Sequence, residues 1–398
     1  MHNHTALITL ALLILIFGLF SKLSERSPIS GPMFFVAVGI ISSPLGLGLI
    51  NVNLNTDIVK TLAELTLIII LFVDASLIDL SKLGKTVAGI PARLLLLGLP
   101  LTVLSGALSA VYFFPDYNIW ALVMLALILS PTDAALGQAV ILSHKVPNRI
   151  KESISIESGL NDGIALPPIL LCIAILSTGG AALSGDGQWL IFMAKQLSIG
   201  PLIGALVGIF GGKLIDIATK RNWMGSTFHE LSAISIAILA YSCAELFHGN
   251  GFIAAFVAGL LLGTKIKLVR ERIQAFGEAE GQLFSLIIFF LLGLVAVPSF
   301  APYWNSNTII YATLSLTLIR IIPVMASLTG TGLSLYSKLF IGWFGPRGIA
   351  SILYMLIVIS DLGISGYEEL MSVIVLTVLL STFLHGISAV AMTTKFPH

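Results

Sequence analysis

Apolar runs of about twenty residues, the length that carries a helix across a bilayer, recur along the whole chain between short polar stretches. Windows of about 19 residues place helical segments near 5–22, 31–50, 59–78, 87–113, 118–140, 152–177, 188–213, 227–247, 250–264, 278–298, 307–328, 335–359 and 368–391, thirteen in all. The ninth is the shortest and is rich in glycine. Two windows carry helix-breaking sequence at mid-depth, Ser130-Pro131-Thr132-Asp133 in the fifth and Gly342-Trp343-Phe344-Gly345-Pro346-Arg347-Gly348 in the twelfth. Proline removes a backbone donor and disfavours helical geometry in the residue before it, so both segments are expected to be interrupted. The breaks lie an odd number of segments apart and therefore cross in opposite directions. Paired interrupted helices in inverted halves are the pattern of a secondary transporter's binding site.

Basic residues collect after odd-numbered segments: Lys22, Arg26, Lys82, Lys85, Lys145, Arg149, Lys151, Lys213, Lys220, Arg221, Lys265, Lys267, Arg270, Arg272, Lys338 and Lys395. The other loops carry almost none, which by the positive-inside rule puts the N-terminus outside and the C-terminus in the cytoplasm. Removing the ninth segment would scramble that alternation. With 57% hydrophobic and 10% charged residues, a mean hydropathy of +1.01, and about 25% charge expected of a soluble domain, the chain reads as an all-α polytopic membrane protein. One transmembrane domain over 1–398 is expected, with inverted halves at 5–177 and 227–391 joined by 188–213, and no soluble regulatory domain. A net charge of +1 gives no ground for nucleic-acid binding. The first five residues hold no Lys or Arg, so the first apolar run is expected to be retained rather than cleaved. Cys172 and Cys243 fall inside apolar runs and read as packing, not as a disulfide or metal framework.

Against that background Glu157-Ser158-Gly159-Leu160-Asn161-Asp162-Gly163 stands out, because an ionisable side chain at bilayer depth is disfavoured by about 3 kcal/mol or more. Residues four apart share a helix face, so Ser158 neighbours Asp162 and Glu157 neighbours Asn161. The first stripe offers hydroxyl and carboxylate oxygens, hard ligands for an alkali cation. Thr132, Asp133 and carbonyls freed at Pro131 could complete the shell. Nitrogen and sulfur ligands suited to transition metals are missing from this set. The bland alternative for Asp162 and Asp133 is a hydrogen-bonded pair that stabilises helix packing. Glu64, Glu230, Glu245 and Lys195 lie near segment ends and are expected at the interface, and His248 in a loop.

These residues resemble those of the monovalent cation/proton antiporters, specifically the Asn-Asp branch of the NhaP-type sodium/proton exchangers. Thr132-Asp133 and the run from Glu157 to Gly163 carry the likeness, with Leu318-Ile319-Arg320-Ile321-Ile322-Pro323, Gly345-Pro346-Arg347-Gly348, Gly251-Phe252-Ile253-Ala254-Ala255-Phe256 and Leu71-Phe72-Val73-Asp74-Ala75. Many relatives follow Thr-Asp with proline, whereas here Ala134 follows and Pro131 precedes, which moves the expected break a turn earlier.

The resemblance implies that Asp162 is the principal cation and proton carrier, helped by Ser158, Thr132 and Asp133. Asn161 stands where the electrogenic branch has a second Asp, which implies one-for-one, electroneutral exchange of a cation, Na+ first, for H+. Glu157 would pair with Arg320, bracing the bundle rather than moving ions. From their positions, Arg347 is expected either to neutralise carbonyl ends at the interrupted helices or to hold the twelfth segment against a carboxylate, and Asp74 either to add negative potential to the access funnel or to snorkel to the interface. The likeness further implies a homodimer in the plasma (inner) membrane, elevator-like motion, and no cofactor beyond the transported Na+ or Li+ and H+. Two other classes fit less well. An intramembrane aspartyl hydrolase would carry glycine directly before the Asp of Asn161-Asp162, and no HExxH or GxSxG element occurs. A channel would need a continuous polar path instead of polar residues clustered at mid-depth.

Overall fold

The computed structural model describes residues 2–24, 29–51, 57–77, 89–133, 136–137, 140, 143–178, 188–262 and 280–396. They form α1 (His2–Ser24), α2 (Gly31–Ser42), α3 (Asp57–Leu77), α4 (Ile90–Phe113), α5 (Ile119–Ile128), α6 (Asn148–Ser177) and α7 (Gln188–Lys220). There follow α8 (Ser226–Leu246), α9 (Gly251–Leu262), α10 (Glu280–Tyr303), α11 (Ser306–Ser327), α12 (Leu335–Trp343), α13 (Ile349–Leu362) and α14 (Glu368–Thr394). No strand occurs among the described residues. Arg26, Lys82, Lys85 and the basic run 265–272 lie outside them.

Each of the thirteen apolar windows contains helix, but they are not thirteen uniform spans. Seven described helical stretches, in α4, α6, α7, α8, α10, α11 and α14, are long and apolar enough to cross a membrane, whereas those in α1, α2, α5, α9 and α13 are shorter. Local chemistry sets several limits. The second window was expected to run to residue 50, yet α2 stops at Ser42. Ser43 precedes Pro44 and takes extended backbone (φ −75°, ψ 171°) as that position requires. Helix starts are marked by side chains that accept orphan amides: Ser30 from Met33, Asn118 from Trp120, Ser334 from Ser337, and a reciprocal box of Asn305 with Thr308 at α11. The fifth and twelfth windows are interrupted, after Ile128 and between Trp343 and Ile349.

Lipid supplies no hydrophobic drive between helices, so tight association relies on small residues that let backbones touch. α9 packs against α3, α7 and α8 in that way. A Cβ added at Gly204 would come 2.3 Å from the Ala254 carbonyl, one at Gly208 2.6 Å from that of Ala258, and one at Gly259 2.1 Å from that of Phe72. The largest apolar cluster includes Phe72 of α3, Leu125 of α5, Ile169 of α6, Tyr354 of α13 and Ile374 of α14. A second joins Ile150 of α6, Val324 of α11 and Phe340 of α12. The two clusters thus clamp the interrupted segments from both ends.

Gly259→Ala should lower the midpoint of thermal unfolding of the purified protein, by the equivalent of about 1–3 kcal/mol, because α3 and α9 must separate. Gly18→Ala, a helical site with nothing within 4 Å of the new methyl, should leave it unchanged or slightly raised. Equal behaviour of the two variants would contradict the packing described.

Candidate functional site

The fifth segment loses helical geometry after α5 and runs through Pro131, Thr132 and Asp133 without regular structure. Ahead of the break, Ser130 Oγ donates back to the Ala126 carbonyl at 2.6 Å, and Ser351 of α13 donates to the Ile128 carbonyl at 2.8 Å. In the twelfth segment, α12 ends at Trp343 and α13 begins after Gly348, whose conformation (φ −146°, ψ −131°) is not helical. The two breaks satisfy each other. Asp133 N–H donates to the Pro346 carbonyl at 2.8 Å, and Asp133 Oδ2 accepts the Ile349 N–H at 2.8 Å. Arg347 Nη1 donates to the Gly345 carbonyl at 2.9 Å and the Pro131 carbonyl at 3.4 Å. Asp133 therefore serves α13 as the capping side chain its own Gly348 cannot supply. A Cβ at Gly348 would lie 1.8 Å from Asp133 Oδ2, so only glycine permits this approach.

α6 runs beside the first break with its polar residues inward. Ser158 Oγ donates to the Thr132 carbonyl at 2.5 Å, and Asn161 Nδ2 donates to Thr132 Oγ1 at 2.8 Å. Thr132 is thereby tied to α6 through both its backbone and its side chain. Asp162 is 8% exposed, and neither its Oδ1 nor that of Asn161 has a hydrogen-bond partner among the described residues. Its backbone carbonyl accepts from Tyr354 of α13 at 2.9 Å. Asp74, Asp133 and Asp162 lie close enough to feel one another's charge, with Asp74 half-buried on α3. Further along α6, Pro167 and Pro168 lack the N–H groups that would otherwise bond the carbonyls of Gly163 and Ile164.

Glu157 points elsewhere. Its Oε1 accepts Arg320 Nη2 at 2.8 Å, with the two side chains 2% and 1% exposed. Arg320 lies just past an irregularity in α11 at Thr317 (φ −117°, ψ −98°). Arg347 is also fully buried, and the two guanidiniums interact electrostatically with each other and with Glu157. Of the two buried carboxylates of α6, Glu157 is paired with Arg320, whereas Asp162 Oδ1 has no partner among the described residues.

Ser351, Tyr354 and the backbone of Ile349 take part without having been singled out from the sequence. A signal existed in the i, i+3 spacing of Ser351 and Tyr354 within the otherwise apolar run 349–359. Glu64 and Glu245, expected at the interface, line a cavity of about 220 Å³ with Tyr241 and with Asp361 of α13. Glu245 also accepts the Gly251 N–H at the start of α9, and His248 sits in the following turn with φ 57°. Among the described residues no three His, Cys, Asp or Glu side chains converge to hold a metal ion in the manner of a transition-metal site.

A family model described as "Sodium/hydrogen exchanger, transmembrane" matches residues 8–395. The chain is 27% identical over 326 residues to the K(+)/H(+) antiporter NhaP of Alkalimonas amylolytica, covering 81% of this chain and 55% of that protein. It is 25% identical over 344 residues to the K(+)/H(+) antiporter NhaP2 of Shewanella oneidensis (86% and 58%). It is 24% identical over 256 residues to a Na(+)/H(+) antiporter of Schizosaccharomyces pombe (60% and 54%). The chain thus spans somewhat more than half the length of these curated relatives. Its fold matches the sodium proton antiporter MjNhaP1 of Methanocaldococcus jannaschii at pH 8 with a TM-score of 0.79 and 21% identity, covering 100% of this chain and 99% of that one.

Removing one partner of a buried ion pair leaves an uncompensated charge, so Glu157→Ala and Arg320→Ala should each destabilise the protein by about 3–5 kcal/mol. The double variant should lose distinctly less than the sum. Additive losses in thermal unfolding would mean that the two groups do not depend on each other.

Proposed function

Because the chain belongs to the sodium/hydrogen exchanger family, we propose that it is a secondary antiporter that exchanges Na+ for H+, one for one, with both ions competing for Asp162. The observation that carries this reading is the buried Asp162 carboxylate whose Oδ1 has no donor among the described residues. A carboxylate in such a place is stable when it holds a proton or a cation and unstable as a bare anion. The two occupancies exclude each other, and exchange follows if the site faces each side of the membrane in turn. Ser158 and Thr132, hydrogen-bonded to each other, and Asp133, within electrostatic reach of Asp162, are the proposed additional ligands. Asn161 contributes an amide and no titratable charge, so one proton leaves for each monovalent cation that enters. K+ is the second reading, favoured by the names of the bacterial relatives.

In this reading α5, α6, α11, α12 and α13 form the moving bundle, braced by Glu157 and Arg320, and Arg347 balances the carbonyls of the two breaks. Asp74 adds negative potential on the approach to the site. The halves 5–177 and 227–391 are inverted copies joined by 188–213. The protein works as a homodimer in the plasma membrane, with its N-terminus outside and its C-terminus in the cytoplasm.

In proteoliposomes carrying an imposed pH gradient, added Na+ should dissipate the gradient, and Asp162→Asn should abolish the response. Competition has a definite sign: the apparent KM for Na+ rises as pH falls, by about tenfold per unit once protons occupy most sites. The rate should be the same with the membrane potential clamped at zero or at an imposed value. Undiminished exchange by Asp162→Asn would overturn the carrier, and a strong voltage dependence would overturn the stoichiometry. A panel of Na+, Li+ and K+ in the same assay decides the cation.

A further inference from the structure

The break between α12 and α13 has a second support, which comes from α14. Ser381, His385 and Ser388 occur at i, i+4 and i+7, spacing that aligns them along one face of that helix. Ser381 Oγ accepts the Arg347 N–H at 2.7 Å and lies 3.1 Å from His385 Nδ1, while His385 Nε2 lies 2.9 Å from the Trp343 carbonyl. The imidazole packs against the Trp343 ring at 5.0 Å between centroids, and Trp343 Nε1 donates to Ser388 Oγ at 2.9 Å. Both Ser381 and His385 are buried.

A carbonyl can only accept, and one stands at each ring nitrogen; the single hydrogen of the neutral ring is assigned to Nε2, which faces only the Trp343 carbonyl, whereas Nδ1 also has the Ser381 hydroxyl beside it. In the neutral ring Nδ1 is then an acceptor. Ser381, one of whose lone pairs takes the Arg347 N–H, has its single proton free to donate there. One ordered chain results, from Arg347 N–H to Ser381, from Ser381 to His385, and from His385 to the Trp343 carbonyl. It serves a donor and an acceptor of the break at once, the Trp343 carbonyl accepting from the Gly345 N–H at 2.8 Å as well. His385 Nδ1 is also 3.0 Å from the Ser381 carbonyl, which the neutral ring leaves to the helix ladder.

We propose that Ser381 and His385 are positioning residues for the ion site. They fix the course of residues 343–347, and through it the Pro346 carbonyl and Ile349 N–H that hold Asp133 beside the Thr132 and Asp162 cluster. Neither side chain touches the transported ion. The effect on transport rests on the antiport reading above; the effect on the backbone does not.

The full-length protein in liposomes provides both readouts. In Ser381→Ala and His385→Phe, amide hydrogen exchange across 345–349 should quicken by about tenfold, the scale of one lost net hydrogen bond. The apparent KM for Na+ should rise by a similar factor while the maximal rate changes by less than about twofold. Ser381→Thr, which keeps the hydroxyl, and His385→Gln, which keeps a donor near the Nε2 position, should restore both quantities. Unchanged exchange in Ser381→Ala and His385→Phe would overturn the proposal. So would faster exchange with an unaltered KM, or failure of Ser381→Thr and His385→Gln to rescue. Exchange that behaves as expected in a protein whose wild type moves no cation would leave the brace standing and count against the antiport reading alone.

Discussion

Breaking a helix inside a bilayer leaves backbone donors and acceptors that no nearby water will take, each unsatisfied group costing several kcal/mol. The architecture around the site answers that constraint. Two breaks, far apart in sequence, are placed so that Asp133 gives its amide to the Pro346 carbonyl and receives the Ile349 N–H on its carboxylate. Arg347 covers carbonyls of both segments, and Ser351 covers the end of α5. From α14, Ser381 accepts the Arg347 N–H, and His385 Nε2 lies 2.9 Å from the Trp343 carbonyl. Irregular backbone at depth is thereby affordable, and with it come side chains and carbonyls that a continuous helix would keep turned into its own ladder.

Charge is distributed by the same logic. Glu157 and Asp162 lie five residues apart on α6 and face different surroundings. Glu157 meets a guanidinium at 2.8 Å inside the packed bundle and has an internal counter-charge. Asp162 meets an amide-bearing neighbour, a tyrosine bonded only to its backbone carbonyl, and two further carboxylates within electrostatic reach. The residue with a permanent partner is suited to hold the bundle together. The one without is suited to a partner that comes and goes.

Much of this could be read from the chain, and the limits are instructive. Pro131 and Pro346, each beside other helix-breaking residues, mark the two interruptions, whereas Pro167, Pro168, Pro201 and Pro323 sit inside helices; the spacing of Ser158 and Asp162 aligns them on one helix face, a local effect. Pro44 is equally local, yet the apolar window over 31–50 concealed it and α2 proved shorter than expected. The pairing of Glu157 with Arg320 spans 163 residues and has no local signature, so only family likeness pointed to it. The cap that Asp133 provides for α13 spans 216 residues and was not anticipated at all. His385 shows the same limit: a lone histidine in an apolar run carries no sign of the carbonyl it will meet. The cavity that gathers Glu64, Glu245 and Asp361 arises from the way helices distant in sequence pack together.

In the proposed exchange one carboxylate holds either the cation or the proton. The most direct measurement is equilibrium proton release on Na+ binding to the purified protein, followed with a pH indicator in weak buffer at a pH where the site begins protonated. One proton should be released for each Na+ bound, and none from Asp162→Asn. Na+ binding without proton release, or release that persists in Asp162→Asn, would contradict it.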